Sequence, residues 1–177
     1  MGVPAAAPKE PRHLRATADE TSAAAFDQVD RRILELVQTD GRIKLSELGR
    51  RVQLSPAAVT ERLRRLEACG AITGYGAQVA PARLGYGIQA YIRVNPHGGY
   101  TLKHPRTLEL LGRPEVIEAH HVVGEDCWIL KVAVTDTEHL EDVLEQTSSL
   151  GRTTTSIVLS SPGGRKPLLP LPPSTGR

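Results

Sequence analysis

The chain has 177 residues and a formal net charge of +2, enough length for two small domains but no overall charge that by itself points to a polyanionic partner. Hydrophobic residues make up 40% and aromatic residues 3%, which excludes a chain too polar to fold and requires cores of Leu, Val, Ile and Ala. No apolar run approaches the ~20 residues that span a bilayer, residues 1–25 lack the apolar centre of a secretory signal, and the two distant cysteines, Cys69 and Cys127, read as free thiols of a cytoplasmic protein.

Residues 1–25, rich in Ala, Pro and charge, are expected to be a disordered tail. From Phe26 to Gly70 the apolar period is helical. Phe26, Val29, Ile33 and Leu36 share one face of a first helix, with Asp27 as its N-cap and Asp30 in its first turn, where acids suit the helix dipole. Thr39-Asp40-Gly41 ends it. A second helix runs near Ser46 to Val52. A third starts at Ser55-Pro56, with Ser as cap and Pro at the first helical position, and stops at Cys69-Gly70. Residues 26–75 thus form a three-helix domain.

After Gly70 the period becomes two. Ile72 to Ala80 reads as a connecting strand, and residues 76–87 as a linker strand. Four strand-like runs follow within a domain at 88–161: Ile88 to Val94, Val116 to Val123, Trp128 to Val134 and Thr154 to Leu159. A short helix near Pro105 to Leu111 separates the first two. A helix with the face Leu140, Val143, Leu144 and Thr147, capped by Asp136 or Thr137, separates the last two. The order β-α-β-β-α-β is the ferredoxin-like arrangement. A sheet with helices on one face leaves its other face uncovered, so this domain should form homodimers, with Tyr91, Trp128 and Leu130 as candidate interface groups. Residues 162–177 hold five prolines and three glycines and are expected to be an unstructured Pro-rich tail.

The strongest chemical signal is Ser46 to Leu66, two short helices joined by a tight turn. Between Arg42 and Arg65 there are seven basic residues against two acids, a local charge of +5; from Ala82 to Ser160 there are seven against ten, a charge of −3. Only the first segment is suited to meet nucleic acid. On the third helix Val59, Leu63 and Leu66 fall within about 60° of one another and should pack inward. The opposite face carries Ala57, Ala58, Glu61, Arg64 and Arg65, flanked by Thr60, with Arg62 and the cap Ser55 nearby. Small residues at the N-terminal end admit the backbone to a major groove about 12 Å wide, and arginines hold phosphates or fork onto guanine. Arg42, Lys44, Arg50 and Arg51 are placed to anchor flanking phosphates. No metal-ligand spacing, Ser-His-Asp set, phosphate-binding loop or dinucleotide motif is present, so neither metal nor cofactor is expected.

These residues resemble the Lrp/AsnC family, the leucine- and asparagine-responsive or feast/famine transcriptional regulators. The resemblance covers about residues 26–161 and rests on three runs: Phe26 to Tyr86, Pro114 to Asp136, and Thr153 to Ser160. It implies an α+β protein with an N-terminal winged helix-turn-helix domain and a ferredoxin-like βαββαβ domain for effector binding and dimerisation. It implies dimers through the sheets, with assembly into larger even-numbered oligomers, and a pseudo-palindromic double-stranded DNA operator. It further implies an amino-acid effector near the loop between the second and third strands, and a cytoplasmic, nucleoid-associated protein that does not meet the membrane.

Three positions depart from the family pattern. Gln53 stands where Gly is usual in the turn before the third helix, and Gly49 where Ala is usual. In the effector loop, Gly124-Glu125-Asp126-Cys127-Trp128 puts Cys127 at the usual Asp position, with Asp126 one residue early. In the functional reading, backbone N–H groups at Gly124 and Glu125 hold the effector's carboxylate, Asp126 its ammonium group, and Thr153, Thr154 and Thr155 lend hydroxyls. The alternative is an enzyme similar to siroheme decarboxylases, which share both domains and depend on pocket histidines; His120 and His121 would be the candidates.

Overall fold

The computed structural model describes residues 26–98, 104–163 and 165–171; the expected N-terminal tail lies outside them. The chain divides into two compact units, one comprising residues up to 77 together with those from 165 onward, the other residues 78–164. Each has its own apolar core.

The first unit holds α1 (Gln28–Thr39), α2 (Leu45–Val52) and α3 (Pro56–Ala68). Asp27 caps α1 through a reciprocal pair: the Asp30 N–H donates to Asp27 Oδ1 at 2.8 Å, and the Asp27 N–H donates to Asp30 Oδ2 at 3.1 Å. Two orphan donors of the first turn are satisfied this way. The cap of α3 is Ser55, whose Oγ accepts from the Ala58 N–H at 3.2 Å, with Pro56 at the first position. Ile33, Leu48, Val59 and Leu66 are fully buried between the three helices, and Phe26, Val29, Leu63 and Ile72 pack around them. The turn between α2 and α3 is tight. Gln53 closes α2 in the left-handed region at φ 58°, the one non-glycine residue with positive φ among the described residues. A Cβ on Gly49 would lie 2.5 Å from the Leu54 carbonyl oxygen, so only glycine fits there without a shift.

Ile72 to Ala80 is not a strand. The Ile72 N–H donates to the Leu66 carbonyl at 3.0 Å, and its side chain packs onto the helical core. Residues 73–80 have no regular structure, and Pro81–Leu84 form a single 3₁₀ turn. Gly70, Gly74 and Gly76 weaken any strand here, and none of the described strands pairs with it.

The second unit contains β1 (Ile88–Pro96), α4 (Pro105–Leu111), β2 (Val116–His121), β3 (Trp128–Val134), α5 (Thr137–Ser148) and β4 (Gly151–Ile157). The strands form one sheet in the order β2-β3-β1-β4, every neighbour antiparallel. Alternation decides its faces. Ala90, Ile92 and Val94 of β1, and Trp128, Leu130, Val132 and Val134 of β3, are buried with Leu110 of α4 and Leu140 and Val143 of α5. Trp128 and Leu130, expected at an interface, therefore belong to the core: β1 and β3 register Val94 opposite Trp128 and Ile92 opposite Leu130, so these side chains share the helix-covered face. Tyr91 does lie on the other face, opposite Lys131. β4 starts three residues earlier than expected because Gly151, Arg152 and Thr153 pair with Pro96, Asn95 and Val94, a polar stretch without apolar alternation. No helix among the described residues is long and apolar enough to cross a membrane.

The C-terminal segment also differs from expectation. Residues 165–171 do not stand apart from the fold. They hydrogen-bond to α1 through Arg31 and Gln38.

Candidate nucleic-acid interface and effector loop

α3 is fixed in rotation about its axis by Val59 and Leu66, which are wholly buried. What remains outward is set by the helical period. Ala57, Glu61, Arg64 and Arg65 are exposed, and Ala58 and Thr60 are half-buried at the edges. The Thr60 hydroxyl donates to the Pro56 carbonyl at 2.8 Å, so its proton is already used within the helix. The Arg64 side chain is 73% exposed, with its nearest acid, Glu61, at 4.0 Å. Such an exposed, loosely paired guanidinium can turn to a phosphate or a base at little cost.

The other cations of the sequence-derived set are held more firmly. Arg50 and Arg51 both donate to Glu47, at 2.8 and 2.7 Å. The Arg50 hydrogen bond, followed by that of Arg51, holds the Glu47 carboxyl well below its ordinary range, at about 2. Arg62 and Arg65 reach back to α1. Arg62 Nη1 donates to Asp30 Oδ1 at 2.8 Å and to Asp27 Oδ2 at 2.7 Å, and Arg65 Nη2 donates to Asp30 Oδ2. The Asp30 side chain is 0% exposed. A buried carboxylate is costly unless hydrogen bonds satisfy it, and here two guanidinium groups and a backbone N–H do so. The hydrogen bond from the Asp30 N–H, ahead of that from Arg62, lowers the Asp27 carboxyl, while the Arg62 guanidinium is raised chiefly by its bond to Asp27. Sequence reasoning found the cap but missed this clamp. The signal was present: Asp30 occupies the i, i+3, i+7 stripe with Ile33 and Val37, an acid on the core-facing side of α1. Arg42 and Lys44 are both exposed beside the start of α2.

In the second unit, the loop joining β2 to β3 is Val122 to Cys127. Its base is closed by the Val122 N–H donating to the Cys127 carbonyl at 2.9 Å, and by the Cys127 N–H donating to the Val94 carbonyl at 3.0 Å. β1 and β4 brace it from the side. Asn95 Nδ2 donates to the Glu125 carbonyl at 2.8 Å, Arg152 pairs with Glu125 at 3.0 Å, and Arg93 Nε lies 3.8 Å from Asp126 Oδ2. The site thus sets a cation and an anion side by side at a distance too long for a close hydrogen bond. Thr154 lies opposite Arg93 in the β1–β4 register, on the face away from the helices. Thr153 and Thr155 lie opposite Val94 and Ile92 on the helix-covered face, so of the three only Thr154 shares the side of Arg93. Gly124 is exposed at the loop tip.

His120 and His121 fall on opposite faces of β2. His120 Nε2 is 3.6 Å from Glu118, and the His121 ring lies 4.9 Å from the Trp128 ring. Among the described residues no group of three His, Cys, Asp or Glu is arranged to hold a metal ion. A third polar cluster, not foreseen, braces the second unit. Glu115 is paired with Arg113 at 3.1 Å and with His139 Nε2 at 3.0 Å, and His139 Nδ1 lies 3.1 Å from the Thr135 hydroxyl. Arg113 foremost, with His139, holds the Glu115 carboxyl at about 2.

Comparison with known proteins agrees with this geometry. The family model of the AsnC-type helix-turn-helix domain matches residues 26–67, and that of the Lrp/AsnC ligand binding domain matches residues 89–168. The HTH-type transcriptional regulator LrpA of Mycobacterium tuberculosis is 35% identical over 140 residues, covering 77% of this chain and 92% of its own. A transcriptional regulator from Neisseria meningitidis, solved as a complex with L-methionine, superposes with a TM-score of 0.74 at 28% identity, covering 81% and 96% of the two chains. A feast or famine regulatory protein from M. tuberculosis, complexed with L-methionine, superposes with a TM-score of 0.70 at 32% identity, covering 82% and 100%.

Proposed function

The chain belongs to the Lrp/AsnC family of HTH-type transcriptional regulators, and from that premise we propose that α3 is its recognition helix and that a free amino acid, bound at the β2–β3 loop, is its effector. It is a DNA-binding regulator and not an enzyme; the decarboxylase alternative loses to the regulator identity of its relatives. The observation that carries the DNA reading is the outward face of α3: small at its N-terminal end with Ala57 and Ala58, and cationic about two turns later at Arg64 and Arg65. Arg64 reads or grips directly, while Arg62 and Arg65, tied to Asp30, set the angle at which α3 is presented. Ser55, Thr60 and Glu61 complete the helix's contact face, and Arg42, Lys44, Arg50 and Arg51 hold flanking phosphates. Two copies, joined through the sheet face that bears Tyr91, bind half-sites whose centres lie about 10 bp apart, and larger even-numbered assemblies build on that dimer.

The effector reading rests on the Arg93–Asp126 juxtaposition together with the methionine complexes of two relatives. A zwitterion needs an anion and a cation close together. Asp126 takes its ammonium group; the N–H groups of Gly124 and Glu125, with Arg93 beside them, take its carboxylate; and Thr154 lends a hydroxyl from β4. Thr155, on the covered face, supports the strand only.

An electrophoretic mobility shift on the protein's own upstream DNA tests the first part. Arg64→Ala should weaken binding by ~1–3 kcal/mol with the fold intact by circular dichroism; unchanged affinity overturns the assignment of α3. Calorimetry against a panel of common amino acids tests the second. One should bind, and Asp126→Ala should weaken it by ~1.5–3 kcal/mol. A binder indifferent to Asp126 moves the site elsewhere.

A further inference from the structure

The segment beyond β4 is rich in proline. Pro167 and Pro170 fix an extended backbone that makes no hydrogen bonds within itself, so its polar groups must find partners outside. α1 supplies them. Gln38 meets Leu168 as a neighbouring strand would: Gln38 Nε2 donates to the Leu168 carbonyl at 3.0 Å, and the Leu168 N–H donates to Gln38 Oε1 at 2.9 Å. Arg31, seven positions earlier on the same side of the helix, forks onto two successive carbonyls, those of Pro170 and of Leu171, the latter at 2.9 Å. The spacings match. Seven helical residues rise about 10 Å, and three residues of polyproline-type chain advance about 9 Å. The segment therefore runs antiparallel to α1 with its acceptors in step with the two side chains.

The apolar side chains take little part. Leu168 is 83% exposed and Leu171 76% exposed. Docking is read from the backbone, and it depends on the amide of Gln38 and the guanidinium of Arg31 rather than on leucine burial.

We infer that the face of α1 bearing Arg31 and Gln38 is a docking surface for an extended, proline-containing peptide, and that its occupant is this chain's own segment 165–171. The first unit is then discontinuous in sequence, with residues up to 77 and those from 165 onward in one compact body.

Amide exchange of the full chain, followed residue by residue by NMR, tests it. The Leu168 amide should exchange at least about tenfold more slowly than in a synthetic peptide of residues 164–173. Arg31→Ala/Gln38→Ala should return it to the peptide rate, whereas Leu168→Ala should leave the protection of residue 168 in place. If the double variant fails to fold, deletion of residues 164–177 gives a second readout, since the α1 amides should then exchange faster. A Leu168 amide at the peptide rate in the unaltered chain, protection that survives the double variant, or α1 exchange indifferent to the deletion would overturn the docking.

Discussion

Asp30 does two jobs with one carboxylate. It answers the Asp27 N–H at the start of α1 and receives two arginines from α3. Its removal should therefore cost more than a cap. Asp30→Ala is expected to destabilise the first unit by about 2–3 kcal/mol in chemical denaturation, below the ~3–5 kcal/mol of a fully enclosed pair because the Arg65 guanidinium is half-exposed and can turn to water. A loss no larger than the ~1 kcal/mol of an ordinary cap would remove Asp30 from the clamp. Gln53 works in the opposite direction. A left-handed glutamine costs ~1–2 kcal/mol, and glycine gives back part of that relief through unfolded-chain entropy. Gln53→Gly should raise stability by ~0.5–1 kcal/mol, read from the denaturation midpoint at constant slope.

At the scale of elements, caps and apolar periods were the legible part. Asp27 and Ser55-Pro56 mark the starts of α1 and α3 where the structure has them, and of the two caps read for α5, Asp136 and Thr137, it is Asp136 that serves, because a cap is a local bargain between one side chain and the next turn. The course of β4 was harder, since Gly151 to Thr153 pair through their backbones and leave no apolar trace. The β2–β3 loop could be singled out from its glycine and acids, but not its bracing: Arg93 and Arg152 sit some 30 residues away, and only strand order brings them to Asp126 and Glu125. The same long-range pairing hid the cluster of Arg113, Glu115 and His139, whose pH signature can be measured. Arg113 depresses the Glu115 carboxyl from 4.5 to about 2 in the folded chain. Its contribution is thus present in full above pH 4.5 and is lost as pH falls towards 2. Glu115→Gln should melt earlier than the unaltered protein at pH 6, and the gap should close between pH 4.5 and pH 2.5. A gap constant over that range would refute the pairing.

For the whole molecule, the net charge of +2 conceals a division of labour between a stretch at +5 and a stretch at −3. Affinity for DNA should fall steeply with salt despite the near-neutral total, because counterions are released locally. Fluorescence anisotropy across a salt series should give a slope that Lys44→Ala lowers by about 1 with little change in sequence preference; an unchanged slope would take Lys44 off the phosphates. With a separate core in each unit, the chain looks ready for exchange of its DNA-reading half with that of a relative. The turn before α3 limits where such a cut can fall. The chain departs from the expected family pattern at both positions of that turn: a bare Gly49 is pressed against the Leu54 carbonyl, and Gln53 holds a side chain in the left-handed region. An alanine at position 49 drives a methyl group into that oxygen unless the turn itself shifts. A chimera, or a lineage, has to cross residues 49–54 as one block, with Gly49→Ala tolerated only after the turn around it has been replaced.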